Sequence, residues 1–222
     1  MIKISNRLLS LVKYVHPEDT IMDVGCDHAK LDIYLVQSGI LNKIYVCDVN
    51  PNALQNGIEN IERYELENKV IPVLGYGIEK ANEYDIDSLI ISGMGSKNII
   101  DILSSPYSDK IYKLILQSNN NHYELRQFLA SKNFNIVAEE VIEDAKKTYI
   151  NIVALKDYSK RTKYTEKENM FGPILITKKE NISYFEMLKD SYERIPYQSR
   201  PDEVQDKINY LEEIISDLEK QD

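Results

Sequence analysis

The sequence predicts an α/β protein built on a doubly wound sheet of the Rossmann-like type, with an antiparallel hairpin at one edge and a helical hairpin at the C-terminus. Three observations carry this. From residue 20 to about residue 132, β-type apolar runs alternate five times with helix-type stretches, the pattern of a parallel sheet wound by crossover helices. Two further β-type runs, 135–143 and 148–156, are separated only by residues 144–147, which leaves room for a turn and none for a helix. Beyond Lys156, Ile182, Phe185, Leu188, Tyr192 and Ile195 recur at threes and fours; after a Ser-Arg-Pro-Asp turn, Val204, Ile208, Leu211, Ile215 and Leu218 follow with a/d spacing.

Each element has its own signal. Leu8, Leu9, Leu11, Val12 and Val15 mark a helical face over residues 4–15, with Ser5 or Asn6 as N-cap and His16-Pro17 as its end. The first strand, 20–24, runs into Gly25 and a polar loop, and a helix follows over about 28–38, closed by Gly39. Strand two covers 43–47 and ends at Asp48; Asn50-Pro51 then opens a helix to about residue 65, proline suiting a first turn. Strands three to five cover 69–74, 87–92 and 113–117, with helices over about 96–103 and 122–132. Continuous apolar runs such as Leu89-Ile90-Ile91 and Leu114-Ile115-Leu116 suit strands buried on both faces. The expected division is a ligand-binding domain over 1–156 and a helical coiled-coil domain over 157–222, the latter serving as an intramolecular hairpin or a dimerisation arm.

Composition bounds the rest. The chain has 222 residues, 43% hydrophobic and 28% charged, with a net charge of −9, values typical of a globular protein. No apolar run approaches the ~18 residues of a membrane span, and the N-terminus lacks the apolar core of a signal peptide. Cys26 and Cys47 offer neither a disulfide framework nor a Cys/His metal cluster. A reduced, cytoplasmic protein with no metal and no membrane partner is expected. The global charge opposes nucleic-acid binding, but Lys156, Lys160, Arg161, Lys163 and Lys167 gather within twelve residues, and Lys3, Arg7 and Lys13 lie near the start. These are either solvated surface cations or a segregated basic face.

In an open parallel sheet, ligands bind beyond the carboxyl ends of the strands. Those ends read Asp23-Val24-Gly25-Cys26-Asp27, Asp48-Val49-Asn50, Gly75-Tyr76-Gly77, Gly93-Met94-Gly95 and Gln117-Ser118-Asn119. The first is D-x-G-x-D rather than the G-x-G-x-x-G of a dinucleotide site, which weakens a dehydrogenase reading. Carboxylates there repel a pyrophosphate and suit an amino or sulfonium cation, so a cationic nucleoside is the expected ligand. Asp48 stands about 20 residues beyond the glycine loop, where an acid holds ribose hydroxyls; otherwise it caps a helix. His28 is either a base or a structural residue at a helix start, and Cys26 has no visible basic partner to activate it.

These motifs together resemble a known family. S-N-R-L near the start, D-V-G-C-D-H-A-K-L, C-D-V at strand two, I-I-S-G-M-G-S and L-I-L-Q-S-N are similar to the bacterial tRNA (adenine-22-N1)-methyltransferases, TrmK. The resemblance covers residues 4–156 by motif and the remainder by architecture. It implies a class I methyltransferase domain using S-adenosylmethionine, with tRNA as substrate and a C-terminal helical coiled coil. Asp23, Gly25, Cys26, Asp27 and His28 would surround the methionine part of the cofactor. Asp48, with Val49 and Asn50, would take the ribose, and Gly75, Tyr76, Gly77 and Ile78 the adenine. Gly93, Met94 and Gly95, with Gln117 and Asn119, would frame the methyl group and the target base. Arg7, Lys160, Arg161 and Lys163 would hold RNA phosphates. The chain departs from the family at Tyr76, where members have an acid or amide, at Ser96, where they have glycine, and at Ser118, where they have proline. Two other classes stay open from the sequence alone: a methyltransferase of another substrate, and a non-catalytic nucleoside-binding scaffold.

Overall fold

The computed structural model describes residues 1–106, 110–159 and 163–221. The chain divides into two compact units, Met1–Thr162 and Lys163–Asp222. The break lies beyond the expected 156/157 join because residues after the last strand stay tied to the first unit: the Asp157 amide donates to the Asn133 carbonyl at 2.9 Å.

The first unit begins with α1 (Asn6–Val12), whose N-cap is Ser5, its hydroxyl accepting from the Leu8 amide. It continues through β1 (Ile21–Val24), α2 (Lys30–Gln37), β2 (Ile44–Asp48), α3 (Pro51–Arg63), β3 (Val70–Leu74), α4 (Ile78–Ala81), β4 (Ser88–Met94), α5 (Ser96–Ser104), β5 (Lys113–Ser118), α6 (His122–Ser131), β6 (Phe134–Asp144) and β7 (Lys147–Lys156). The strands form one seven-stranded sheet in the order β3-β2-β1-β4-β5-β7-β6. The first five are parallel, and β7 runs antiparallel to both β5 and β6. Every residue of β1 and of β5 is buried, as strands covered by helices on both faces require. The winding reverses between β1 and β4, which opens a crevice at the carboxyl ends of these two strands.

Two elements differ from the sequence expectation. The single-turn helix α4 follows Gly77, whose φ of +58° turns the chain sharply; four residues carry too little periodicity to announce themselves. The second helix starts at Lys30 rather than His28, because Asp27 and Ala29 adopt left-handed backbone conformations, φ 46° and 50°.

The second unit holds α7 (Glu166–Phe171), α8 (Ile182–Glu193) and α9 (Asp202–Glu219). The Thr165 hydroxyl accepts from the Glu168 amide while the Glu168 carboxylate accepts from the Thr165 amide at 2.7 Å, a capping box written as T-E-K-E in the sequence and not anticipated there. The stretch after Pro173 forms short 3-10 turns, Leu175–Thr177 and Lys179–Asn181, before α8. In α9 the buried residues are Ile208, Leu211, Ile214 and Leu218, so Ile214 replaces Ile215 in the seam. Ile215 beside it is half-buried. Among the described residues, no helix is long and apolar enough to cross a membrane.

Candidate active site

The site is built at the carboxyl edge of the parallel strands. At the end of β1, Gly25 turns with φ +81°, and the amides of Gly25 and Cys26 both donate to the Cys47 carbonyl, at 2.8 and 3.3 Å. The loop is clamped from α3, where the Asn60 side-chain amide donates to the His28 carbonyl at 3.0 Å. Gly57 permits that approach: a Cβ there would lie 3.2 Å from the Asp27 carbonyl oxygen. Asp27 and His28 project outward, their side chains 3.6 Å apart. Cys26 is buried, and desolvation with the nearby Asp32, Asp23 and Asp48 carboxyls pushes its thiol pKa far up. It is an inert packing residue rather than a nucleophile.

At the end of β2, Asp48 Oδ1 accepts from the Asn50 amide at 2.8 Å, leaving Oδ2 for a ligand. The capping of α3 falls to Asn50, whose Oδ1 accepts from the Asn52 amide at 2.9 Å. Beside Asp48 lies a cleft with about 600 Å³ of open space, walled by Val49, Tyr76 and Met94 and, from α5, by Asp101, Ile102 and Ser105. Val49 and Tyr76 are 53% and 71% exposed, apolar surface waiting for a planar partner. Gly75 and Gly77 form the floor. Ile78 is fully buried and does not line the cleft. The α5 wall was missed in the sequence, where Ile102 reads only as part of a helical core face.

On the other side of Gly25 a second cleft is lined by Arg7 and Leu8 of α1, by Asp23, Cys26 and His28, and by Lys30, Leu31 and Ser92. Arg7, expected on an RNA face, stands instead over the strand ends. Its Nη1 donates to Gln117 Oε1 at 2.7 Å, its guanidinium lies 5.5 Å from the Tyr149 ring centre, and a Cβ at Gly93 would sit 3.4 Å from Nη1. Gln117, expected to orient a base, is fully buried. Its amide nitrogen donates to the Arg7 carbonyl and to Asn151 Oδ1 at 2.6 Å, and Asn151 in turn donates to the Ser10 hydroxyl at 2.8 Å. Gln117 therefore positions Arg7 and does not itself face the cleft.

Asn119 is exposed. Its backbone amide donates to the Met94 carbonyl and its Nδ2 to the Gly93 carbonyl, both at 2.9 Å. This pins the β4 and β5 ends together and leaves Asn119 Oδ1 as an outward acceptor. Beneath it, the hydroxyls of Ser96 and Ser118 lie 2.8 Å apart, and both donate to the Asn120 carbonyl. The two departures from the family pattern thus form one buried hydroxyl pair that closes the turn after β5. Gly95 adjoins the same turn, where a Cβ would approach Asn120 Oδ1 to 3.2 Å.

Asp23 and Asp32 supply the unusual electrostatics. Both are buried, and their carboxyls lie within hydrogen-bonding reach of each other. Beyond that contact and the backbone amide of Asp32 itself, no donor among the described residues serves Asp23 Oδ1 or either Asp32 oxygen. Desolvation raises both pKa values, and repulsion from Asp23 raises that of Asp32 further. Arg7 acts the other way on Asp23. Of the remaining expected residues, Lys160 and Arg161 lie outside the described residues, and Lys163 is an exposed residue at the start of the second unit. Among the described residues, no group of three or more His, Cys, Asp or Glu could hold a metal ion.

Residues 4–152 match the family model described as a methyltransferase domain. The chain is 26% identical over 156 residues to the tRNA (adenine(22)-N(1))-methyltransferase of Bacillus subtilis, covering 69% of this chain and 65% of that one. The crystal structure of M. capricolum TrmK in complex with S-adenosyl-homocysteine is 30% identical, with a TM-score of 0.83, covering 96% of this chain and 98% of that one. A Streptococcus pneumoniae structure described as a tRNA (adenine-22-N1) methyltransferase, in complex with S-adenosyl-L-methionine, is 28% identical with a TM-score of 0.86, covering 96% and 100%. With its strand order, its D-x-G-x-D loop and these likenesses along nearly its whole length, the chain belongs to the methyltransferase-domain family and, within it, to the bacterial tRNA (adenine-22-N1)-methyltransferases.

Proposed function

We propose that the chain transfers a methyl group from S-adenosylmethionine to N1 of adenine 22 of tRNA. The observation that carries this is the pair of clefts meeting at Gly25, one acidic at Asp23 and one apolar beside Asp48, in a chain of this family. The residues fit such a cofactor. Asp23 Oδ1, buried and without a donor among the described residues, matches the ammonium of a methionine moiety, and Arg7 across the same cleft matches its carboxylate. Asp48 Oδ2 is free for the ribose hydroxyls, and Val49, Ile102 and Tyr76 wall a slot for a purine. When bound, the cofactor supplies an electrophilic methyl on a sulfonium.

The chain's own work is alignment. Adenine N1 carries a lone pair, so no base is needed, and proximity and orientation account for most of the gain. Positive charge arrives on the adenine ring during transfer, so acceptors suit its edge. Asn119 Oδ1 is held outward by the bond of its Nδ2 to the Gly93 carbonyl, and we assign it the N6 amino group. Gly93, Met94 and Gly95 line the approach between cofactor and base. N1 lies on the base-pairing edge, so the nucleotide enters unpaired or flipped.

Lys30, Lys97, Lys146 and Lys147 are exposed and without ion-pair partners among the described residues, and all lie at the carboxyl edge of the sheet. We assign RNA phosphates to this rim, together with Lys160, Arg161 and Lys163 from the sequence expectation. Phe185 of α8 and Ile208, Leu211, Ile214 and Leu218 of α9 are buried within the chain, which favours a monomer over a dimer built on those helices. Two free thiols suit a reduced, cytoplasmic setting. Radiolabelled methyl transfer to total tRNA, followed by nucleoside analysis, tests the reading: N1-methyladenosine supports it, and cofactor binding without labelled RNA refutes it.

A further inference from the structure

Asp32 is the third residue of α2, fully buried, and lines neither cleft. Two carboxyls cannot share a hydrogen bond unless one of them carries a proton. Of the two, Asp23 lines the cleft and has Arg7 acting on it, whereas Asp32 lies behind it with no cationic partner among the described residues. The helix N-terminus favours an anion at Asp32, but full burial and the adjacent Asp23 outweigh that attraction. The other charged or titratable groups around the pair are Arg7 from α1, Asp48 and Cys47 from β2, Cys26 and His28 from the loop, and Lys30 from α2.

We propose that Asp32 is a positioning residue: it holds a proton and donates it in a hydrogen bond to Asp23, so that Asp23 stays ionised and presents Oδ1 to the ammonium of the cofactor. The arrangement divides one acid's work between two. An isolated buried Asp23 would neutralise itself in the empty cleft, because desolvation penalises its charged form. A donor behind it favours the anion without introducing a second positive charge that would compete with the ligand. At acid pH both carboxyls are protonated, and binding the ammonium then releases one proton to solvent. Affinity therefore falls as pH is lowered through the raised Asp23 pKa.

This inference rests on the cofactor reading above, and the test separates the two. The variants are Asp32→Asn, which keeps an N–H donor without a titratable proton, and Asp32→Leu, which removes the donor at similar volume. Binding of S-adenosyl-homocysteine is measured by calorimetry across pH, in buffers of different ionisation enthalpy. At about pH 8, Asp32→Asn is expected to bind within about 3-fold of the wild type and Asp32→Leu about 10- to 100-fold more weakly, its affinity profile shifted to higher pH. Equal losses in both variants, or wild-type affinity in Asp32→Leu, would overturn the proposal. Infrared spectroscopy of the ligand-free protein adds an arm that needs neither cofactor nor a folded Leu variant. A protonated carboxylic acid band at about pH 8, absent from Asp32→Asn, is expected, and its absence from the wild type would refute the assignment. If the band is present but no S-adenosyl-homocysteine binds, the cofactor reading fails and the acid pair survives.

Discussion

Arg7 of the first helix donates through Nη1 to the side-chain carbonyl of Gln117 at the end of β5, 2.7 Å away. This bond joins residues 110 apart in sequence and sets a cation over the crevice between β1 and β4. Gln117 is fully buried and also holds Asn151, so its removal strands two polar partners. Gln117→Ala is expected to cost about 1–3 kcal/mol of stability and to weaken cofactor binding about tenfold by releasing Arg7. Denaturant titration and calorimetry with S-adenosyl-homocysteine check both effects.

One oxygen of the Asp48 carboxylate is engaged by the Asn50 amide, and the proposed function gives the other to the ribose. Hydrogen bonds to a charged group are worth about 1.5–3 kcal/mol each. Asp48→Ala should weaken cofactor affinity about 100-fold with little loss of folding stability, since the cap of α3 belongs to Asn50. Calorimetry beside thermal denaturation distinguishes the two.

Gly77 has φ +58° and ψ −101°, and a Cβ there would sit 2.5 Å from Val24 Cγ1. A side chain meets both backbone strain and a branched neighbour fixed in the strand. Gly77→Ala is expected to destabilise by about 1–3 kcal/mol and to close the purine slot. A thermal shift without loss of cofactor affinity would contradict this account of the slot.

His122 is buried, and desolvation, with the charge of Arg126 second, holds its pKa down to about 4, against the pull of the Ser118 carbonyl it contacts at 3.1 Å. The unfolded chain takes up the proton at about 6.5, so between these values the unfolded state binds more protons. The stabilising contribution is present in full above about pH 6.5 and is lost as pH falls toward 4, at most about 3 kcal/mol. Unfolding free energies of the wild type and His122→Gln measured across that range should converge as pH falls.

Lys146 and Lys147 lie at the turn between β6 and β7, three to four residues beyond the pair Ser118–Ile150 that marks the end of β5. Replacing both with alanine should reduce the slope of log affinity against log salt for tRNA by about 1–2 and leave cofactor affinity unchanged. An unchanged slope would remove these lysines from the RNA face.

The first four strand ends were legible because each carries a glycine or an acid at a break in an apolar run, and Asp23, Gly25, Asp48, Gly75 and Gly93 all stand at the crevice. What the sequence hid is direction. Gln117 and Asn119 read alike as amides at one strand end, but Gln117 lies within β5 and is buried in the core, whereas Asn119 lies just past the strand and is exposed. Arg7 read as a basic surface residue because nothing local reveals that α1 returns across the sheet to β5 and β7. Asp32 drew no reading from the sequence, and only the fold places it behind Asp23. The seam of α9 was right in kind, but its third buried residue is Ile214 rather than Ile215.

The most direct test of the central claim is methyl transfer to a tRNA transcript carrying adenine at nucleotide 22 and to one carrying guanine there, read by nucleoside analysis of the products. The account predicts N1-methyladenosine in the first transcript alone, and its near loss with Asp48→Ala. Equal methylation of both transcripts, or none in either by a protein that binds S-adenosyl-homocysteine, would contradict it.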